Sequence, residues 1–336
     1  MNIKTVYTEL TNRCNLNCVT CYNRSGANRR TVELRLADVE RIISTFSRYG
    51  AVRFLFSGGE PTLYSELDAL LELLSRYPEY EVGFVTNGTS RNQRFIDFIN
   101  TRENVTLQIS LDGSSEEQNA KTRGVGHFHK AIEFAKMIRP VSKKPLLKMV
   151  ISQNNLADVA DFYKLALSVG CLPEFAFIYR SGNANNDWEA KAVSAQEKIK
   201  IVKLIDTLNK EYGVEARLPL CTVRCPYSAN AEDLFIGIKP NGDVQPCQTL
   251  YDPKYTLCNI LDFNEDAFLA RMQETIDLAK RRMGVSFGCE KCMLSSACGR
   301  GCMSEAVNLN GDPLGDDGNC LFRKLQFIHC DMKFYG

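Results

Sequence analysis

The sequence predicts an α/β fold: six βα units in series, read as a barrel of the TIM type, complete or partial, with a cysteine-rich region after it. Short apolar runs alternate with amphipathic helical patterns from residue 1 to about 205, and the apolar runs each lead into a polar or glycine-bearing segment. Strands are expected at Thr5 to Leu10, Val52 to Phe56, Glu81 to Val85, Val105 to Ile109, Leu146 to Ile151 and Glu174 to Ile178. Most lack polar alternation, as parallel strands covered on both faces do. Between them, Val39/Ile42/Ile43/Phe46, Leu67/Leu70/Leu71/Leu74, Phe95/Ile96/Ile99, Ile132/Ala135/Ile138 and Phe162/Tyr163/Ala166 recur at three- and four-residue intervals. Each such helix has one face to bury. The strand-end segments are Thr11-Asn12-Arg13-Cys14, Ser57-Gly58-Gly59-Glu60-Pro61, Thr86-Asn87-Gly88, Ser110-Leu111-Asp112-Gly113, Ser152-Gln153-Asn154 and Tyr179-Arg180-Ser181-Gly182. In βα barrels the active site is built from such ends, so six of them are expected to converge on one ligand.

Three thiols, Cys14, Cys18 and Cys21, fall within eight residues directly after the first strand. Soft thiolates select iron–sulfur clusters or zinc. A cubane cluster has four irons, so three ligands leave one iron open, whereas structural zinc calls for a fourth protein ligand. A zinc knuckle or a disulfide loop is the alternative. No His lies near in sequence, and the next cysteine is Cys171. The spacing CxxxCxxC followed by Tyr22 resembles the radical S-adenosylmethionine (SAM) enzymes. That resemblance implies a [4Fe–4S] cluster whose open iron binds SAM, and cleavage of SAM to methionine and a 5′-deoxyadenosyl radical.

The resemblance extends over residues 4 to 182 and implies SAM contacts at several strand ends. Ser57, Gly58, Gly59 and Glu60 resemble the family's GGE motif, which contacts the methionine amino group; glycines without a Cβ also simply permit a tight turn. Thr86 and Asn87 close the third strand beside it. Ser110 and Asp112 are expected at the ribose hydroxyls, with helix N-capping as the plain alternative. Arg123 resembles the arginine that grips the methionine carboxylate, a fork that Lys does not reproduce. Tyr22 and Asn23 are expected near the adenine. His127 and His129 are expected near a helix start, with no acid–base part.

After Trp188 the pattern changes. Ile199, Val202, Ile205 and Leu208 mark a bridging helix, giving units at 1–190, 191–220 and 221–336. Leu234 to Ile238 and Asp243 to Gln245 around Asn241-Gly242 read as a hairpin. Phe263 to Arg282 reads as a helix with Asn264 at its start and Phe268, Leu269, Met272, Ile276 and Ala279 on one face. The run Cys289, Cys292, Cys298, Cys302 and then Cys320 resembles the SPASM extension of radical SAM proteins, which carries two auxiliary four-iron clusters. The whole then resembles a partial (β/α)6 TIM-like barrel followed by a small SPASM domain with a hairpin and helices. Carried over by position, Cys289, Cys292, Cys298 and Cys320 hold the outer cluster, and Cys302 crosses to the inner one with Cys247, Cys221 and Cys225. Three cysteines remain. Cys171 and Cys330 are expected as small buried hydrophobes, and Cys258 as a hydrogen-atom donor or a neighbour of the inner cluster.

Composition narrows the partners. A net charge of +1 with both signs scattered gives no footprint of a nucleic-acid binder, and no apolar run approaches a membrane span. The pairs Arg29-Arg30, Lys143-Lys144 and Arg281-Arg282 read as solvated surface. Fourteen cysteines without an export signal argue for a reducing cytoplasm and for metal. The resemblance implies an electron donor such as flavodoxin or ferredoxin, and most often a ribosomally made peptide as substrate. Because the chain starts on strand one, leader recognition is expected from a separate protein or from the barrel. Gln248 stands where sulfatase-maturing members carry aspartate, which argues against that activity. A sugar or aminocyclitol dehydrogenase or epimerase is the small-molecule alternative, and a non-catalytic iron–sulfur or zinc protein is the alternative from another class.

Overall fold

The computed structural model describes residues 2–26, 30–228, 233–250, 252–285 and 288–329. The barrel half comprises β1 (Ile3–Thr11), α1 (Leu36–Ser47), β2 (Arg53–Gly58), α2 (Leu67–Ser75), β3 (Glu81–Thr86), α3 (Gln93–Thr101), β4 (Val105–Ser110), α4 (Glu116–Arg123), α5 (His127–Met137), β5 (Leu146–Ile151), α6 (Val159–Ser168) and β6 (Leu172–Phe177). A short α7 (Trp188–Lys191) and the bridging α8 (Ala195–Tyr212) follow. The remainder holds β7 (Leu234–Ile238), β8 (Asp243–Gln245), β9 (Cys258–Asn259), α9 (Glu265–Met283), α10 (Met303–Asn310) and α11 (Cys320–His329).

All six expected strands form, each pairing in parallel with its neighbour in chain order, so the sheet is a partial barrel whose loops after the strands share one rim. The helical stripes turn inward: Val39, Ile42, Phe46, Leu70, Phe95, Ile99, Phe162 and Tyr163 are buried. Ile132 is only partly so, Ala131 and Phe134 filling that place. The bridging helix starts on a Ser194–Glu197 capping box and stops at Gly213, which takes φ +62° as its C-cap.

The second half shares the barrel's sheet. β7 lies parallel against the free edge of β1, with Tyr7 opposite Gly237 and Thr8 opposite Ile238, and the β7–β8 hairpin and β9 extend it to nine strands in the order β6-β5-β4-β3-β2-β1-β7-β8-β9. Two sequence expectations are corrected. Leu269 is exposed, because it stands a hundred degrees round α9 from Phe268, whose ring goes inward. Arg282 is fully buried: its guanidinium donates to the carbonyls of Pro313, Gly315 and Arg300, each at 2.6 Å, which fixes the end of α9 against the cysteine-bearing loops. Arg29 and Cys330 lie outside the described residues.

Candidate active site

The loop of residues 14–23 lies on the rim formed by the ends of the parallel strands, and several of those ends hold it. From β2, Gly59 N–H donates to Thr11 O (2.6 Å) and Glu60 N–H to Arg13 O (2.8 Å). A Cβ at Gly58 would lie 2.3 Å from Thr11 O and one at Gly59 2.1 Å from Arg13 O, so both positions need glycine for the backbones to meet. From β3, Asn87 Nδ2 donates to Asn15 Oδ1 (2.8 Å). Thr122 O at the end of α4 accepts from Val19 N–H (3.0 Å). Asn23 closes the loop: its amide donates to Gly58 O (3.0 Å), and its Oδ1 accepts from the Cys21 thiol (3.0 Å) and from Ser25.

Glu60 is the brace behind this arrangement. It is 1% exposed, and its Oε1 accepts from Thr62 N–H (3.2 Å), the Thr62 hydroxyl (2.7 Å) and the Thr86 hydroxyl (2.6 Å), while Oε2 accepts from Asn87 N–H (2.7 Å). Burial raises its pKa and these donors work the other way. Behind the β3 end, buried His127 opens α5, with Nε2 2.7 Å from Asn87 O and Nδ1 3.0 Å from the Asn119 amide. Nδ1 therefore accepts and Nε2–H donates. Burial holds this imidazole down to about 4, so it stays neutral.

Cys14, Cys18 and Cys21 are all partly exposed on this rim and lie in one another's electrostatic field. Burial pushes the Cys14 thiol up to about 12 and the Cys18 thiol to about 11, and the nearby Arg123 guanidinium works downward on Cys18, with Nη1 3.9 Å from its sulfur. Among the described residues no three Cys, His, Asp or Glu side chains converge to grip a single ion. A four-iron cluster makes no such demand, since each thiolate takes its own iron.

Comparison with known proteins gives this rim its meaning. Residues 8–166 match the family profile of the Radical SAM superfamily. The chain thus contains a Radical SAM domain. It is 27% identical to the mycofactocin maturase MftC of Mycolicibacterium smegmatis over 93% of this chain and 81% of the relative. It is 24% identical to the PqqA peptide cyclase of Rhodopseudomonas palustris over 95% and 87%. Among solved structures, Streptococcus suis SuiB bound to S-adenosylmethionine superposes with a TM-score of 0.75 at 17% identity, covering 94% of this chain and 76% of that one. The enzyme anSMEcpe with bound AdoMet gives 0.72 at 19%, over 96% and 97%. These two carry the fold, a radical SAM partial barrel with a C-terminal extension.

A radical SAM enzyme takes SAM and a [4Fe–4S] cluster, and this rim fits both. Thiols driven upward by burial become thiolates when a metal takes the proton's place, Arg123 adds positive charge beside them, and Gly58 and Gly59 leave room for no side chain between the β2 end and the loop. Three expected contacts differ in detail. Asp112 is entirely buried: Oδ1 accepts from Val150 N–H (2.8 Å) and Oδ2 forms an ion pair with Arg123 Nε at 2.9 Å, so the carboxylate faces the protein interior. Its part is to hold Arg123, and Ser115 caps α4 instead. Tyr22 and Ser57 face the barrel interior, where the Tyr22 hydroxyl donates to Glu9 Oε1 (3.2 Å) and both lie in hydrogen-bond reach of the Tyr7 hydroxyl.

The C-terminal cysteines fall into two groups. Cys289, Cys292, Cys298 and Cys320 line one cavity of about 240 Å³ with Arg300, Arg323 and Asp316. Cys225 and Cys302 both lie in the field of Cys247, and Val223 O, accepting from Gly299 and Gly301 N–H at 3.1 Å, draws the two loops together. Cys221 stands apart, its strongest charged neighbours being Arg323, Asp317, Glu305 and Lys198. Buried Asp317 joins the groups, accepting from Cys302 N–H (2.9 Å) and pairing through both oxygens with Arg323. Cys171 is buried in the core as expected.

Cys258 is corrected. Thr8, Ile238, Val244 and Cys258 lie in one cross-strand row, one step from the row of Tyr7, Gly237 and Gln245. Successive side chains alternate faces. Tyr7 and Gln245 line a narrow cavity with Glu9, Cys247 and Gln248, so Cys258 points to the opposite face, where it packs against the core and feels Asp262. It is no hydrogen donor to that cavity. The sequence reading missed Glu9, a 6% exposed carboxylate on β1; the alternation Tyr7/Glu9 on a strand leading into Cys14 was its signal. It also missed Asn183, whose N–H donates to Cys21 O (2.8 Å) and whose amide donates to Cys18 O (3.0 Å).

Proposed function

We propose that this radical SAM enzyme modifies a ribosomally made peptide, by crosslinking, oxidation or epimerisation, with Cys14, Cys18 and Cys21 holding the SAM-binding cluster. When bound, the cluster and SAM supply a 5′-deoxyadenosyl radical able to take a hydrogen atom from an unactivated C–H bond. Arg123, steadied by Asp112, meets the methionine carboxylate; the loop at Gly58 and Gly59 meets its amino group; Asn23 and Ser110 serve the nucleoside. Glu60, Thr86 and Asn87 keep that loop in register. We further assign an outer auxiliary cluster to Cys289, Cys292, Cys298 and Cys320 and an inner one to Cys225, Cys247 and Cys302 with Cys221, in a SPASM unit over 221–336 reached through 191–220 from a barrel unit over 1–190.

One observation carries the reading: the β7–β8 hairpin delivers Cys247 to the same cavity as Tyr7 and Glu9, within the barrel whose rim bears the N-terminal thiols. That gap has room for about one water, so substrate is taken to sit at its mouth, between two metal sites. Similarity over most of the chain to a mycofactocin maturase and to a PqqA peptide cyclase favours a peptide. We infer that electrons come from a flavodoxin or ferredoxin in a reducing cytoplasm. Among the described residues no helix is long and apolar enough to cross a membrane. The test is anaerobic reconstitution with SAM and a reductant, followed by mass spectrometry of candidate precursor peptides. Three four-iron clusters predict about twelve irons per chain, and a peptide that loses two hydrogens or takes up solvent deuterium. Iron near four per chain removes the auxiliary clusters, and unchanged peptides alongside SAM cleavage turn the search to small molecules.

A further inference from the structure

Residues 179–183, between β6 and α7, touch both cysteine assemblies. At one end Ser181 Oγ donates to Tyr22 O (2.9 Å), and Asn183 donates to Cys21 O and Cys18 O through its backbone N–H and side-chain amide. Gly182, at φ +59°, is pressed so closely that a Cβ would lie 2.3 Å from Cys21 O. At the other end the Tyr179 hydroxyl donates to Ser304 Oγ (2.6 Å) and accepts from Asn308 Nδ2 (3.0 Å), both on α10, which begins directly after Cys302. Asn308 also reaches Thr249 O at 3.5 Å, and Thr249 Oγ1 lies 3.2 Å from Cys247 Sγ. A run of five residues thus spans from the carbonyls of the N-terminal cluster loop to the neighbours of Cys247 and Cys302.

We propose that Tyr179 is a positioning residue that fixes the inner auxiliary site against the SAM-cluster loop, so that a substrate bound between them meets both in one geometry. The inference rests on the assignment of Cys225, Cys247 and Cys302 to an auxiliary cluster. A phenol suits the task because its hydroxyl donates and accepts at once, and Phe in its place fills the same volume while letting α10 go. Sites of this kind lose output when the supporting contacts drift by about half an ångström or more.

The test compares reconstituted wild type, Tyr179→Phe, Asn183→Ala and the double variant. Each is measured for iron per chain, for the midpoint potential of the auxiliary centre by EPR-monitored titration, and for the ratio of 5′-deoxyadenosine to modified product. Tyr179→Phe is expected to keep its iron, shift the auxiliary potential and raise the ratio by roughly tenfold or more, the factor that loss of its two hydrogen bonds supplies. Asn183→Ala, at the far end of the run, is expected to raise the same ratio, and the double variant to add little to either. Wild-type potential and ratio in Tyr179→Phe overturn the proposal, as do fully additive effects of the two substitutions. Should Tyr179→Phe fail to fold, Ser304→Ala removes an acceptor on α10 and is read the same way. Wild-type iron near four per chain defeats the cluster assignment itself, an outcome separate from any of these.

Discussion

Replacing Glu60 by Gln tests the brace behind the SAM loop with almost no change in shape. Every neighbour of this carboxylate donates to it: Thr62 N–H and two threonine hydroxyls to Oε1, and Asn87 N–H to Oε2. An amide has one acceptor oxygen and one donor nitrogen. Turned one way, its NH2 opposes Asn87 N–H; turned the other way, it opposes Thr62 N–H. Either rotamer leaves at least one backbone N–H unsatisfied, at about 1–3 kcal/mol, and strips the remaining bonds of their charge assistance. Relief of the buried charge offsets part of this, for a net local loss of about 3 kcal/mol. The assay is amide hydrogen exchange across Thr62 and Thr86 to Thr89. Protection there is expected to fall about a hundredfold, with more distant core strands unchanged and SAM affinity reduced. Wild-type protection in Glu60→Gln would refute the account of Glu60 as an acceptor of four donors.

Three further outcomes are expected. Gly182→Ala forces a Cβ toward Cys21 O and the Tyr22 backbone in a left-handed conformation, so it should cost about four of the twelve irons expected for the reconstituted chain and abolish SAM cleavage, while the auxiliary EPR signals persist. Cys258→Ala should leave both 5′-deoxyadenosine and product formation intact, because the side chain is on the helix-facing side of the sheet; loss of product alone would restore a catalytic part for it. His127 lies below its unfolded value of 6.5, at about 4. Between those values the unfolded chain binds more protons, so stability is full above pH 6.5 and falls as pH drops toward 4, by up to about 3 kcal/mol. Urea midpoints measured from pH 7.5 to 4 should therefore lose part of their slope in His127→Gln; identical profiles would contradict the neutral, doubly bonded imidazole.

The chain's own order settled the six βα units, because short apolar runs and stripes at helical spacing are local signals, and all six strands formed where those signals lie. The CxxxCxxC spacing marked the metal loop for the same reason: its ligands are neighbours in sequence. Helix α4 was not legible, since Glu116 to Arg123 carries no apolar stripe and is held by Ser115 at its start and by the Asp112–Arg123 pair. Tertiary structure alone decided that the hairpin of the cysteine-rich region would pair with the free edge of β1, and that pairing fixed which face Cys258 and Gln245 present. It turned Asp112 inward to Val150 and Arg123, sank Arg282 among carbonyls, and set Tyr179 against α10. Register between strands distant in sequence and the partners of a buried charge depend on what the rest of the chain brings to the same place. No local pattern carries that information.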